Sequence, residues 1–139
     1  MTAKQYLRQL ATVEENIREL TEELEERRSR LTSTAAPVLG DKVQTSSNGD
    51  TFAAAMAILT DKDRQRQELI FVYETLRDKI VDQILGLEDE PQKRVLYERY
   101  VRRKSWDTIA EDMHYSLQRI FQIHGNALVE FFIKYLSED

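Results

Sequence analysis

Between Leu10 and Leu31 the apolar residues recur at intervals of three and four: Leu10, Val13, Ile17, Leu20, Leu24 and Leu31, with Arg27 at the one polar step. This spacing lays them along one stripe of an α-helix as a heptad seam, which Tyr6 and Leu7 extend backwards. The other positions from Thr2 to Leu31 are mostly Glu, Arg, Gln and Thr, as a solvated face requires. Glu14–Arg18, Glu23–Arg27 and Glu26–Arg30 are acid-first pairs at i,i+4, each worth a few tenths of a kcal/mol. A helix of roughly 30 residues is about 45 Å long. It cannot bury such a stripe alone and needs a partner helix.

The partner is expected further along. A second helix starts at Asp50 or Thr51, either of which can cap it. It continues through Phe52, Met56, Leu59, Leu69, Ile70, Tyr73, Leu76, Ile80, Ile84 and Leu87. Its middle, Thr60 to Glu68, is almost wholly polar and is expected to be exposed or the weak point of the helix. Between the two helices, 33–50 reads as a flexible loop, with Pro37, Gly40, Gly49 and several Ser and Thr residues. Matching seams and a flexible joint predict an antiparallel helical hairpin over 1–90, coiled-coil-like and possible to double by homodimerisation.

Four Gly and two Pro in 139 residues, with 32% charged residues, favour an all-α chain over a turn-rich β fold. The absence of Cys removes disulfides and thiolate metal sites and fits a cytoplasmic setting. No apolar run approaches the roughly 20 residues that span a bilayer, and Met1 to Leu10 shows no signal-peptide core, so no membrane partner is expected. The net charge of −5 opposes nonspecific coating of nucleic acid. Its distribution is uneven: Pro91 to Lys104 carries six bases against one acid, Glu98, while Asp61 to Glu90 carries nine acids against five bases. Such a patch serves as a phosphate footprint or as an ordinary solvated helix face.

After the break at Leu87–Pro91, three shorter helices are expected within 91–139. The first, Pro91 to Arg103, has Pro in its first turn. The second begins at the N-cap Ser105 and buries Trp106, Ile109, Ala110 and Met113; Ala110 is small enough to let helices approach. The turn His114-Tyr115 leads to Ser116, which caps a third helix with Ile120, Ile123, Ala127 and Leu128 at helical spacing. A short helix, a tight turn and a longer helix form a helix-turn-helix unit.

The stretches Leu96-Tyr97-Glu98-Arg99-Tyr100-Val101, Ser105-Trp106-Asp107-Thr108-Ile109-Ala110 and Ser116-Leu117-Gln118-Arg119-Ile120-Phe121-Gln122-Ile123, with Ala127-Leu128 after them, resemble region 4 of sigma-70 family factors. The start, Met1-Thr2-Ala3-Lys4-Gln5-Tyr6-Leu7-Arg8-Gln9, and Gly40-Asp41-Lys42-Val43-Gln44-Thr45-Ser46-Ser47 resemble small regulators encoded by phages and prophages of Gram-positive bacteria. The resemblance implies a C-terminal helix-turn-helix of sigma region 4 type and a transcriptional regulator that binds double-stranded promoter DNA, RNA polymerase, or both. It implies a recognition helix from Ser116 to Leu128. There Leu117, Gln118, Arg119, Phe121, Gln122 and Asn126 approach the major groove or its phosphates. Gln reads adenine bidentately, and Arg binds guanine or phosphate. Ser105, Ser116 and the patch Arg102-Arg103-Lys104 would hold the backbone. At the positions of Leu117, Phe121 and Asn126 region 4 usually carries bases. At His114 it usually carries Gly, which implies a left-handed backbone there.

Exposed Leu117 and Phe121 could contact thymine methyls or a protein helix, so a protein-binding module that keeps the helix-turn-helix shape is a second reading. A phage DNA-packaging recognition subunit, which joins such a motif to oligomerising helices, is a third. His114 and His124 are the only histidines. A metal site is not expected from them, and His124 reads as a surface or phosphate-facing residue. The run Glu19 to Glu26 has no companion base, nucleophile or phosphate loop, so neither an enzyme nor a cofactor is expected. Trp106, Tyr97 and Tyr100 read as core. The apolar tail Phe131 to Leu136 is expected to pack on the long helices or on a second subunit.

Overall fold

The structure is a computed structural model that describes residues 1–35 and 46–138. Among these residues the chain is all-helical and has no strand. Its elements are α1 (Ala3–Ala35), α2 (Ser46–Leu85), α3 (Glu90–Leu96), α4 (Trp106–Met113) and α5 (Leu117–Phe131). α3 runs on into a wide turn at Tyr97–Val101, closed by Arg102 N–H on the Tyr97 carbonyl at 3.1 Å. α5 runs on likewise through Phe132–Leu136, closed by Ser137 N–H on the Phe132 carbonyl at 2.8 Å. Both bonds span five residues, the π-helical register. No helix among the described residues is long and apolar enough to cross a membrane.

Helix lengths differ from expectation at the long joint. α1 continues to Ala35 and α2 already begins at Ser46, so Ser33 and Ser46–Asp50 are helical rather than loop, and neither Asp50 nor Thr51 is the cap. Ser and Asn cost a formed helix at most about 0.7 kcal/mol each, and Gly49 about 1. A long helix absorbs that, whereas a proline would have stopped it. The rest of the expected loop, 36–45, lies outside the described residues. α2 ends at Leu85, two residues before Leu87.

The described chain forms two compact units: Met1–Val13 with Tyr73–Asp139, and Glu14–Val72. In the first unit the core gathers Ala3, Leu7 and Leu10 of α1, Ile80 and Ile84 of α2, Leu87, Leu96, Tyr100, and Ala127 and Phe131 of α5. Leu7, Ile80, Ile84, Leu96, Ala127 and Phe131 are wholly removed from solvent. The first turns of α1 and the last turns of α2 therefore share one core with the helices that follow residue 90. Tyr6 donates its hydroxyl to Gln83 Oε1 at 2.6 Å, tying α1 to α2. Tyr6 and Tyr135 flank the Phe131 ring, at 5.8 and 5.0 Å between centroids. The tail thus packs through Phe131, Tyr135 and Leu136, while Phe132 and Ile133 stay exposed. Gly86 lies where a β-carbon would overlap the Tyr135 hydroxyl, so any larger residue there must shift the Tyr135 side chain.

In the second unit Leu24 and Leu59 are buried. The polar middle of α2 is neither loose nor wholly solvated. Arg66 donates to Thr21 Oγ1 at 2.8 Å, and Lys62 pairs with Glu23 at 3.4 Å. Glu23 also holds Arg27 at 3.2 Å, as the i,i+4 spacing predicts, whereas Arg18 pairs with Glu15. Phe52 and Met56, read as seam positions, are exposed.

Candidate functional site

α4 and α5 are short amphipathic helices with well-defined starts. Ser105 caps α4, its hydroxyl accepting from Thr108 N–H at 3.2 Å; Ser116 caps α5 in the same way, accepting from Arg119 N–H at 3.1 Å. Each cap satisfies a backbone donor that the first turn leaves open. Between them His114 takes φ 59° and ψ 40°, a left-handed conformation. Its N–H bonds Glu111 at 3.2 Å and that of Tyr115 bonds Ala110 at 3.0 Å, closing the end of α4. The two helices meet through a second apolar cluster: Val95, Ile109, Ala110, Ile120 and Ile123, with Trp106 and Met113 packed at its edge.

With one face of α5 buried at Ile120, Ile123, Ala127 and Phe131, the other faces solvent. Helical spacing of about 100° per residue groups Gln118, Arg119, Gln122 and Asn126 on that outward face, all exposed. The Arg119 guanidinium reaches Gln122 Oε1 at 3.4 Å. Leu117 and Phe121 lie at one border, 40% and 49% exposed. The Phe121 ring meets the edge of Trp106 at 5.4 Å, and Trp106 itself is half-buried where it packs on the second apolar cluster. The expected surface set therefore comes together on one side of α5. Ser105 and Ser116 are exposed but already hold backbone amides.

The basic patch fares differently. Arg102 and Arg103 are exposed, yet Lys104 is half-buried and bound to two carboxylates, Glu98 at 2.8 Å and Asp112 at 3.1 Å. Glu98 first and Asp112 second hold its ammonium above the usual lysine range. Arg102 is 3.8 Å from Glu98 and lies over the Tyr97 ring. The single acid counted within the patch is thus the one its cations surround, and Asp112, from outside it, removes more of the charge. As a clamp on a phosphate backbone, Lys104 is already engaged.

His124 is also not the surface group expected. It is half-buried between Tyr100 and Trp106, with Nε2 2.7 Å from the Tyr100 hydroxyl and the ring stacked on Tyr100 at 5.8 Å. Burial, then the nearby cations Lys4, Arg99 and Arg8, pushes its pKa down to about 4. At neutral pH the imidazole is uncharged, and its nitrogen can accept the phenol proton. Burial raises Tyr100 above the usual phenol range, opposed by Arg8 and Arg99. Arg99 is clasped in place: its guanidinium lies 4.4 Å over Trp106 and donates to the Lys104 carbonyl at 3.0 Å. Sequence reasoning missed this arrangement because Arg8 and Arg99 are remote in the chain and share no spacing pattern.

Comparison with protein-family models, with curated proteins and with solved structures found no match for this chain.

Proposed function

We propose that the protein is a phage-type transcriptional regulator, not an enzyme, whose α4–turn–α5 unit is a sigma region 4-like helix-turn-helix that docks α5 in the major groove of promoter DNA. On this reading α1 and α2 form the helical hairpin that carries the unit, and the chain works in the cytoplasm of a bacterial host. The observation that carries it is the outward face of α5, where Gln118, Arg119 and Gln122 stand exposed behind a capped helix start and a left-handed turn at His114. Amide side chains there can pair with adenine, and Arg119 with guanine or phosphate. With Lys104 neutralised, few phosphate contacts remain, so binding is expected to be modest and its salt slope shallow.

The test is binding of the full chain to its own upstream promoter DNA across a salt series. Specific binding that weakens as salt rises, and is lost in an Arg119→Ala, Gln122→Ala double variant, is the expected result. No binding at low salt would sink direct readout.

A second reading is favoured by one observation. Leu117 and Phe121 expose an apolar strip at the border of the same face. Apolar anchors four residues apart on a helix are what a protein groove accepts. RNA polymerase would be that partner, whether alone or together with DNA.

A further inference from the structure

We propose that Lys4 and Arg8, on the first turns of α1, bind backbone phosphates of the duplex in which α5 lies, an assignment that rests on the reading of α5 as a DNA-docking helix. Leu117, Phe121, His124 and Leu128 follow one another at intervals of four, three and four, so they form one border of α5. Three cations run along that border. Arg99 lies 4.4 Å over the Trp106 ring, which in turn meets Phe121 at 5.4 Å and His124 at 4.6 Å. Arg8 shares a cavity wall with Arg99 and with Tyr100, whose hydroxyl is 2.7 Å from His124. Arg103 lines the same wall, but it has a partner of its own and is no part of the contact. Lys4, one turn before Arg8, shares an apolar hollow of about 460 Å³ with Leu128 and Val129. His124, in the middle of the border, feels the charges of all three.

The ligand follows from the dimensions of a groove. A helix with its side chains is about 10–12 Å across and the major groove about 12 Å wide, so a helix lying in it has a phosphate strand along each border. Cations that flank a border therefore meet phosphates rather than base edges. Lys4 and Arg8 stand on one face of α1, about 6 Å apart along its axis. Both are exposed, and unlike Lys104 neither pairs with a carboxylate among the described residues. Arg99 is half-buried and held by Trp106 and by the Lys104 carbonyl, so it contributes charge to the border while the two α1 side chains reach outward.

The full chain is titrated with its upstream promoter duplex, and with a scrambled duplex of equal length, across a salt series. Lys4→Gln with Arg8→Gln should reduce the slope of log affinity against log salt by about 2, roughly one counterion for each lost phosphate contact, and should weaken both duplexes by the same factor. Lys4→Arg with Arg8→Lys keeps both charges and should keep the slope. Arg28→Gln, an exposed cation of α1 in the other unit, should keep it too. Circular dichroism matched to the parent establishes that the variants are folded. A parent-like slope in the Gln pair overturns the contact and leaves the docking of α5 standing. An equal loss per charge in Arg28→Gln also overturns it, because the duplex would then feel net charge alone. Absence of any binding by the parent at low salt sinks the docking of α5 and this contact together.

Discussion

The Tyr100 hydroxyl and His124 Nε2 lie 2.7 Å apart across the junction between the wide turn and α5, and the pair ties the two apolar clusters together: Tyr100 belongs to one, while His124 abuts Trp106 at the edge of the other. Its neighbours are cationic, Lys4 and Arg8 from α1 and Arg99 from the turn. A proton on His124 is therefore opposed both by burial and by these charges.

Stability is accordingly expected to fall with acid. The His124 pKa is about 4 in the folded chain against an ordinary 6.5, so the unfolded state binds more protons between these values. Stability is full above about pH 6.5 and is lost as pH falls towards 4. A shift of this size on a half-buried ring, discounted for solvent screening, corresponds to about 2 kcal/mol. Urea denaturation at pH 7.5 and pH 4.5 measures it. His124→Phe, which keeps the stack and removes the titration, should flatten this part of the profile; an unchanged slope would refute the assignment.

His114 holds a left-handed backbone, φ 59°, that costs a residue with a β-carbon of the order of 1 kcal/mol. His114→Gly removes that cost but gains freedom in the unfolded chain, so a net change between zero and about +0.5 kcal/mol is expected. His114→Val, β-branched, should lose about 1–2 kcal/mol or more. The contrast between the two variants in chemical denaturation is the readout. Equal midpoints would mean that the turn relaxes freely.

Leu7 is wholly buried among residues from α2 and α5, so the start of the chain is structural. Leu7→Ala should cost about 2–5 kcal/mol and Phe131→Ala about 3–5 kcal/mol, because each leaves a cavity in a packed cluster. Phe132→Ala, on the exposed side of the same tail, should stay within about 0.5 kcal/mol. Removing Met1–Val13 takes Ala3, Leu7 and Leu10 from the core at once and is expected to leave the C-terminal helices aggregated. A soluble, cooperatively folding fragment would contradict this.

Much of this was legible in the chain because it is local. The stripe Leu7, Leu10 and Leu24 is buried as its spacing predicts, Ser105 and Ser116 cap their helices, and the outward face of α5 follows from the positions of Ile120, Ile123 and Ala127. What sequence could not give depends on pairings between distant residues. Lys62 and Arg66 look like solvated charges until Glu23 and Thr21 arrive from α1. Lys104 looks like part of a phosphate clamp until Asp112 arrives from α4. His124 at helical spacing reads as surface; only the fold brings Tyr100 against it. The wide turns at Tyr97–Val101 and Phe132–Leu136 also have no breaker residue to announce them.

The border of α5 decides between the two readings of the site. Leu117→Ser with Phe121→Ser removes the apolar strip and the Phe121–Trp106 edge contact, at a stability cost of about 0.5–1.5 kcal/mol for that contact. Neither residue carries charge. If α5 lies in a groove of DNA, the slope of log affinity against log salt should be unchanged in this variant, whereas Arg119→Ala should reduce it by about 1. Affinity for duplex DNA should then fall far less in the apolar pair than in the Arg119, Gln122 pair. The reverse order, with capture of purified RNA polymerase abolished by the apolar pair and untouched by the polar one, would assign α5 to a protein groove.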